Sequence, residues 1–198
     1  MEERYPWDDR YDKEEYVYGT QPNDFIKQQL RGIAPGKILF PAEGEGRNVV
    51  YAATLGWEAD AFDLSEVGKQ KALKLANTHK VDINYIVGGY QELDFPEDTF
   101  DCVALIYAHF PGTRTEYHRK AIKWLKPGGL LLLEGFSKQQ INRSTGGPKS
   151  LKLLFSEEEM KEDFAPLSHF EVTGHTITLQ EGIYHQGEAD ILRVVGVK

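Results

Sequence analysis

Lys37-Ile38-Leu39-Phe40-Pro41 runs directly into Ala42-Glu43-Gly44-Glu45-Gly46-Arg47-Asn48, and the reading of this stretch decides the fold. Its first five residues form a short apolar run closed by a glycine turn, which reads as a buried strand. From about Arg47 to Leu55 a helix is predicted, stopped by Gly56. The same alternation continues downstream. Trp57 to Asp63 reads as a second strand, and Ser65 can cap a helix in which Ala72, Leu73 and Ala76 share one arc while Lys71 and Lys74 point away. Asp82 to Val87 is a third strand. Cys102 to Tyr107 and Leu130 to Leu133 are apolar without alternation, the pattern of strands covered on both faces. Between them Tyr117, Ala121, Trp124 and Leu125 follow helical spacing, and Pro127-Gly128-Gly129 is expected to stop that helix.

Towards the C-terminus, Ser156 and Glu159 make a capping box, with Phe155 and Met160 placed for a hydrophobic staple. His169 to Glu181 and His185 to Val197 are rich in strand formers and are expected to pair antiparallel through a turn at Glu181-Gly182. Upstream, a helix should run from a cap at Thr20, with Pro22 in its first turn, to about Arg31. Residues 1–20 carry Tyr5, Trp7, Tyr11, Tyr16 and Tyr18 among many charges without sustained periodicity, and read as an irregular aromatic arm. The total is an α/β chain with a doubly wound, mostly parallel seven-stranded sheet, helices on both faces and an antiparallel C-terminal strand.

At 198 residues the chain is expected to form a single domain, 1–198, with 40% apolar and 27% charged residues in the soluble globular range. A net charge of −8 argues against a nucleic-acid substrate, because a polyanion is repelled by most of such a surface. No apolar run approaches the roughly 18–20 residues of a membrane span. The first 18 residues hold no hydrophobic signal core, so a cytoplasmic protein with no membrane partner is expected. The lone Cys102 excludes an internal disulfide and fits a reducing compartment. A monomer or weak homodimer is expected.

Ligands of open α/β sheets bind beyond the carboxyl ends of the strands, which directs attention to the turn at Glu43-Gly44-Glu45-Gly46. Glycine admits close backbone approach and positive φ, and the helix start beyond it offers unpaired N–H groups. Asp63 follows Gly44 by nineteen residues at the end of the second strand, where a carboxylate can accept from both hydroxyls of a ribose. A nucleoside ligand is implied. A dinucleotide is disfavoured, since Val49 stands where a third glycine belongs and Glu43 and Glu45 would face a pyrophosphate. The same glutamates suit S-adenosylmethionine, which joins an ammonium and a sulfonium to an adenosine diol; the alternative is a solvated acidic turn favoured by the helix dipole.

These residues resemble the class I S-adenosylmethionine-dependent methyltransferases, and within them the tellurite-resistance and thiopurine methyltransferase-like branch. The resemblance covers most of the chain. It rests on Trp7-Asp8-Asp9-Arg10-Tyr11, Tyr18-Gly19-Thr20-Gln21-Pro22-Asn23, Gly44-Glu45-Gly46-Arg47-Asn48, Asp63-Leu64-Ser65, Phe100-Asp101, Leu125-Lys126-Pro127-Gly128-Gly129 and Gly146-Gly147-Pro148-Lys149. It implies a Rossmann-like fold and a cofactor held by Glu43, Gly44, Glu45, Gly46 and Asn48, with its ribose on Asp63 beside Ser65. The adenine is expected between Leu64 and the segment Gln91-Glu92-Leu93. Tyr107-Ala108-His109 would lie next to the methyl and a small-molecule acceptor, a thiol or heavier chalcogen. The arm, with Trp7 and Arg10 and with Arg10 pairing a carboxylate, is expected either to form a lid over the cofactor or only to pack on the first helix or stay mobile. Phe40, Pro41 and Ala42 stand where the family opens its loop with acidic–x–glycine, so Glu43 would supply that carboxylate. Gly89 stands where an acidic residue often meets adenine.

His109 is the candidate general base, following the fourth strand at the ligand edge. The alternative is a histidine that only hydrogen-bonds its loop. The remaining histidines show no metal-ligand spacing, and no metal is expected. Two rival functions stay open: a catalytically inactive S-adenosylmethionine-binding regulatory module, favoured by the departures at Phe40, Ala42 and Gly89, and a nicotinamide oxidoreductase, opposed by Val49 and the glutamates.

Overall fold

A computed structural model describes residues 6–110 and 112–198; the reading of Tyr5 as part of the arm lies outside the described residues. The chain, expected from its length to be one domain, resolves into two compact units. The first, up to Asp94 together with Glu181–Ile183, holds α1 (Pro6–Tyr11), α2 (Asp24–Leu30), β1 (Lys37–Pro41), α3 (Arg47–Thr54), β2 (Glu58–Asp63), α4 (Glu66–His79) and β3 (Asn84–Val87). The second, Phe95–Gln180 with Tyr184–Lys198, holds β4 (Phe100–Ile106), α5 (Arg114–Trp124), β5 (Leu125–Phe136), α6 (Glu157–Asp163) and β7 (His185–Val197), and all but the last residue of β6 (His169–Glu181). The strand order is β3-β2-β1-β4-β5-β7-β6 in a seven-stranded sheet.

In the first unit β1 and β2 run parallel with Phe40 opposite Ala61, and β2 pairs parallel with β3, placing Asp63 opposite Val87. Ile38, Leu39 and Phe40 are fully buried in succession, as an apolar run without alternation requires. In the second unit β4 and β5 are parallel and β7 runs antiparallel to β5. Val103, Ala104 and Leu105 of β4 and Leu131, Leu132 and Leu133 of β5 are likewise buried.

Four local expectations are corrected. The arm is not wholly irregular: Pro6 opens α1, suited to a first helical position by its fixed φ, and Asp8 and Asp9 lie in the first turn. The cap of α2 is Asn23 and not Thr20, because Asn23 Oδ1 accepts from the amides of Phe25 and Ile26. Helix α5 ends at Trp124, and Pro127-Gly128-Gly129 lie inside β5. Leu125 is already extended and pairs with Phe100, and a residue before proline, here Lys126, is biased away from helix. On α4 it is Ala72, Leu75 and Ala76 that are buried, while Leu73 is 38% exposed. The capping box at Ser156 and Glu159 is present in both halves.

Candidate functional site

β1 delivers the chain to a turn in which Ala42, Gly44 and Gly46 all take positive φ, at 54°, 64° and 89°. Alanine in that region is strained, a cost that persists where the surroundings over-determine it. Asp63, at the end of β2, closes the turn: its Oδ2 accepts from Gly44 N at 3.0 Å and its Oδ1 from Ser65 N at 3.0 Å. Burial raises its carboxyl to about 6 in spite of these bonds. Tyr85 on β3 donates its hydroxyl to the Gly44 carbonyl at 2.6 Å. Asp63 and the Gly44 turn are thus brought together.

The two glutamates do something other than the sequence reading proposed. Glu43 turns back onto α3, where Oε1 accepts from the amides of Asn48 at 2.7 Å and Val49 at 2.9 Å. It satisfies a helix N-terminus, and burial pushes its carboxyl to about 7. Glu45, 4% exposed, accepts from Lys71 Nζ on Oε1 and from the amides of Val17 and Tyr18 on Oε2. Asn48 is a brace as well: its Nδ2 donates to Glu43 and its Oδ1 accepts from Asn23 N. In this structure internal donors meet both carboxylates, so their charge is answered within the protein by α3, Lys71 and the arm.

The glycines carry their own geometry. A Cβ on Gly46 would lie 2.4 Å from the Ala72 Cβ, so this glycine lets α3 and α4 approach. A Cβ on Gly44 would meet the Tyr11 hydroxyl at 2.5 Å. Gly88 and Gly89 follow β3, with Leu93 against the first and Leu64 against the second; a Cβ at either would meet leucine carbon at 3.1 Å. Leu64 and Leu93 thus flank one short glycine step, with Glu92 folded back to accept from Gly89 N and Gln91 exposed beside it.

The arm lies on this same unit. Asp8 accepts from Ser65 Oγ at 2.5 Å and from Val67 N at 3.2 Å, at the start of α4. Trp7 stacks on Tyr11, and Arg10 lies over the Trp7 ring and donates to the Tyr18 hydroxyl. Asp8, Lys71 and Tyr85 were missed by sequence reasoning. Asp8 stood inside the quoted Trp7-Asp8-Asp9 motif, whereas nothing in the spacing of Lys71 or Tyr85 pointed to these roles.

In the second unit, Tyr107 takes φ +52° just after β4 and lies with its ring 4.7 Å from those of Phe136 and His185. Ala108 is buried. His109 is held by backbone on both sides: Nδ1 meets the Leu153 carbonyl at 2.6 Å, and Nε2 faces the Phe136 amide at 3.1 Å. An amide only donates, so Nε2 is the acceptor and Nδ1 carries the proton. Burial lowers its pKa to about 4. Both ring nitrogens of His109 are thus bonded to backbone, which is the geometry of the loop-bonding alternative to a general base. Gly146 and Gly147 lie against Tyr184–His185 and Phe136 so closely that a Cβ would meet Tyr184 O at 2.7 Å and the Phe136 ring at 2.9 Å. His118 is fully buried and bonded through Nδ1 to Asp163, which also accepts from Arg114 and Thr115.

Among the described residues there is no group of three or more His, Cys, Asp or Glu that could hold a metal, and no helix is long and apolar enough to cross a membrane.

Residues 38–129 match the family described as a methyltransferase domain. A ubiquinone/menaquinone biosynthesis C-methyltransferase, UbiE, of Teredinibacter turnerae is 31% identical over 120 residues, which cover 57% of this chain and 48% of that protein. The chain spans less than half the length of the curated relatives it matches. The structure of TehB from Haemophilus influenzae is similar with a TM-score of 0.70 at 15% identity, covering 89% of this chain and 62% of that one. A structure concerned with converting a disulfide bond into a thioacetal group during echinomycin biosynthesis is similar with a TM-score of 0.69 at 18% identity, covering 98% and 84%. At such identities the likeness to solved structures shows the fold alone.

Proposed function

We propose that the protein is an S-adenosylmethionine-dependent methyltransferase acting on a small-molecule acceptor, with a thiol or heavier chalcogen, as in the tellurite-resistance branch, the first class to test. The observation that carries the reading is Asp63, a carboxylate at the end of β2 bonded to the Gly44 amide, within the segment matching a methyltransferase domain. The residues fit an adenosyl group: Asp63 offers an anionic acceptor to ribose hydroxyls, and Leu64 and Leu93 flank a glycine step with no side chain of its own. Gly44 and Ser65 donate their amides to that carboxylate, Gly46 lets α3 and α4 approach behind the turn, and Trp7 and Arg10 belong to the arm whose Tyr11 lies against Gly44.

S-adenosylmethionine would supply an electrophilic sulfonium methyl. The chain's own contribution is then alignment and exclusion of water, which in favourable cases is worth about 7–11 kcal/mol. With His109 fixed between two backbone groups, no base is assigned to it, and an acceptor that already provides an anion near neutral pH places the least demand on one. The lone, buried Cys102 is consistent with a reducing, cytoplasmic setting.

Titration calorimetry with S-adenosylmethionine and S-adenosylhomocysteine tests the reading, and binding of neither at millimolar concentration defeats it. The second reading, a cofactor-binding module without turnover, is favoured by the braced His109. Transfer of labelled methyl to thiols, thiopurines, tellurite or selenite removes it. A quinol belongs in the same panel, because the relative named above is a C-methyltransferase of quinone biosynthesis.

A further inference from the structure

The contacts of one lysine and one glutamate in the first unit go beyond holding a turn. All three donors of the Lys71 ammonium are used: on Glu45 Oε1 at 2.7 Å, on the Tyr11 carbonyl at 2.9 Å and on the Glu15 carbonyl at 2.7 Å. The other oxygen of Glu45 accepts from the amides of Val17 and Tyr18 at 2.8 and 3.4 Å. The pair therefore grips the arm at four points between residues 11 and 18. Tyr16 adds a fifth by donating to the Lys71 carbonyl at 2.9 Å, with its ring 5.2 Å from the Lys71 ammonium. Both side chains are largely withdrawn from water, at 13% and 3% exposed, so solvent and salt screen the attraction weakly.

What the grip holds down is Tyr11. Its hydroxyl occupies the space a Cβ on Gly44 would take, and its ring lies 3.3 Å from where a Cβ on Gly68 would stand. The two glycines are thus shaped to receive this ring, beside an Asp63 only 7% exposed. Asp8 on Ser65 and Val67 secures the other end of α1. A ligand hydroxyl that is to bond Asp63 has to pass an arm docked in this way.

We propose that Lys71 and Glu45 are positioning residues that latch the N-terminal arm shut over the turn carrying Gly44 and Asp63, and that the latch sets how fast an adenosyl cofactor leaves. The inference rests on the reading of that turn as the S-adenosylmethionine site. Neither residue touches the cofactor; each acts through the arm.

The test uses the full chain with Lys71→Met, with Glu45→Gln, which removes the ion pair while keeping an acceptor, and with Lys71→Met combined with Tyr11→Ala. Two quantities are read: hydrogen exchange at the Val17 and Tyr18 amides without ligand, and the dissociation rate of S-adenosylhomocysteine in a stopped-flow displacement. Lys71→Met is expected to speed both by about tenfold or more, and to add nothing to dissociation once Tyr11 is already alanine, because coupled residues are not additive. Glu45→Gln is expected to act in the same direction and serves alone if Lys71→Met does not fold. Unchanged exchange and dissociation overturn the latch, as does an equal effect of Lys71→Met in the Tyr11→Ala background. If the unsubstituted chain binds neither adenosyl compound, the functional reading fails separately, and amide exchange still decides whether the pair holds the arm.

Discussion

Asp63 spends both oxygens on backbone amides, Gly44 N and Ser65 N, while keeping lone pairs for a ligand. A charge-assisted hydrogen bond contributes about 1.5–3 kcal/mol, so Asp63→Ala is expected to weaken S-adenosylhomocysteine binding by more than tenfold. Calorimetry at fixed pH checks it, and Asp63→Asn is expected to weaken binding too, because its NH2 group can only donate and must face one of the two amides that now bond the carboxylate. Glu43 is the residue through which pH should speak. Its carboxyl is raised by burial from 4.5 to about 7, so the folded chain holds a proton that the unfolded chain releases across that window. The resulting stability is complete below about pH 4.5 and is lost as pH rises through about 7. Urea unfolding from about pH 5 to about pH 8 should therefore show Glu43→Gln gaining steadily on the unsubstituted chain. A constant difference would show that the carboxyl titrates normally.

At the scale of elements, β4 hands the chain to Tyr107 and His109, and the histidine ties three segments together. It accepts from the Phe136 amide at the end of β5, donates to the Leu153 carbonyl and stacks on Phe155 at 4.4 Å. His109→Ala leaves two backbone groups unpaired and a cavity behind, a loss of about 2–4 kcal/mol of stability by unfolding. Should any turnover be found, its pH profile is expected to keep its acidic limb in that variant. Ser156 begins α6 by accepting from Glu159 N, while Glu159 returns a bond to the Ser156 amide. Ser156→Ala is expected to cost about 1 kcal/mol, measured by urea unfolding.

For the whole molecule, a ligand that binds only the folded chain stabilises it by mass action. At a hundredfold excess over its dissociation constant, S-adenosylhomocysteine should contribute about 2.7 kcal/mol. For a chain of this size that raises the melting midpoint by roughly 5–10 °C. NAD is expected to leave the midpoint where it was, and the reverse pattern would revive the oxidoreductase. Scanning fluorimetry reads both.

What the sequence alone determined is whatever depends on a residue and its near neighbours. Apolar runs without alternation placed β1, β4 and β5, the Ser156–Glu159 spacing started α6, and the nineteen-residue interval from Gly44 to Asp63 pointed to two positions that the fold brings into contact. The direction of the polar side chains with distant partners was decided only by the tertiary structure. Glu43 faces α3, Glu45 faces Lys71, and His109 is closed by Phe136 and Leu153, and most of these partners lie 26 to 44 residues away. A charged group goes where its desolvation is best repaid. For Glu43 the donors were the amides of the next helix, but for Glu45 and His109 the partners were a lysine and backbone groups brought in from distant segments, which no local spacing could reveal.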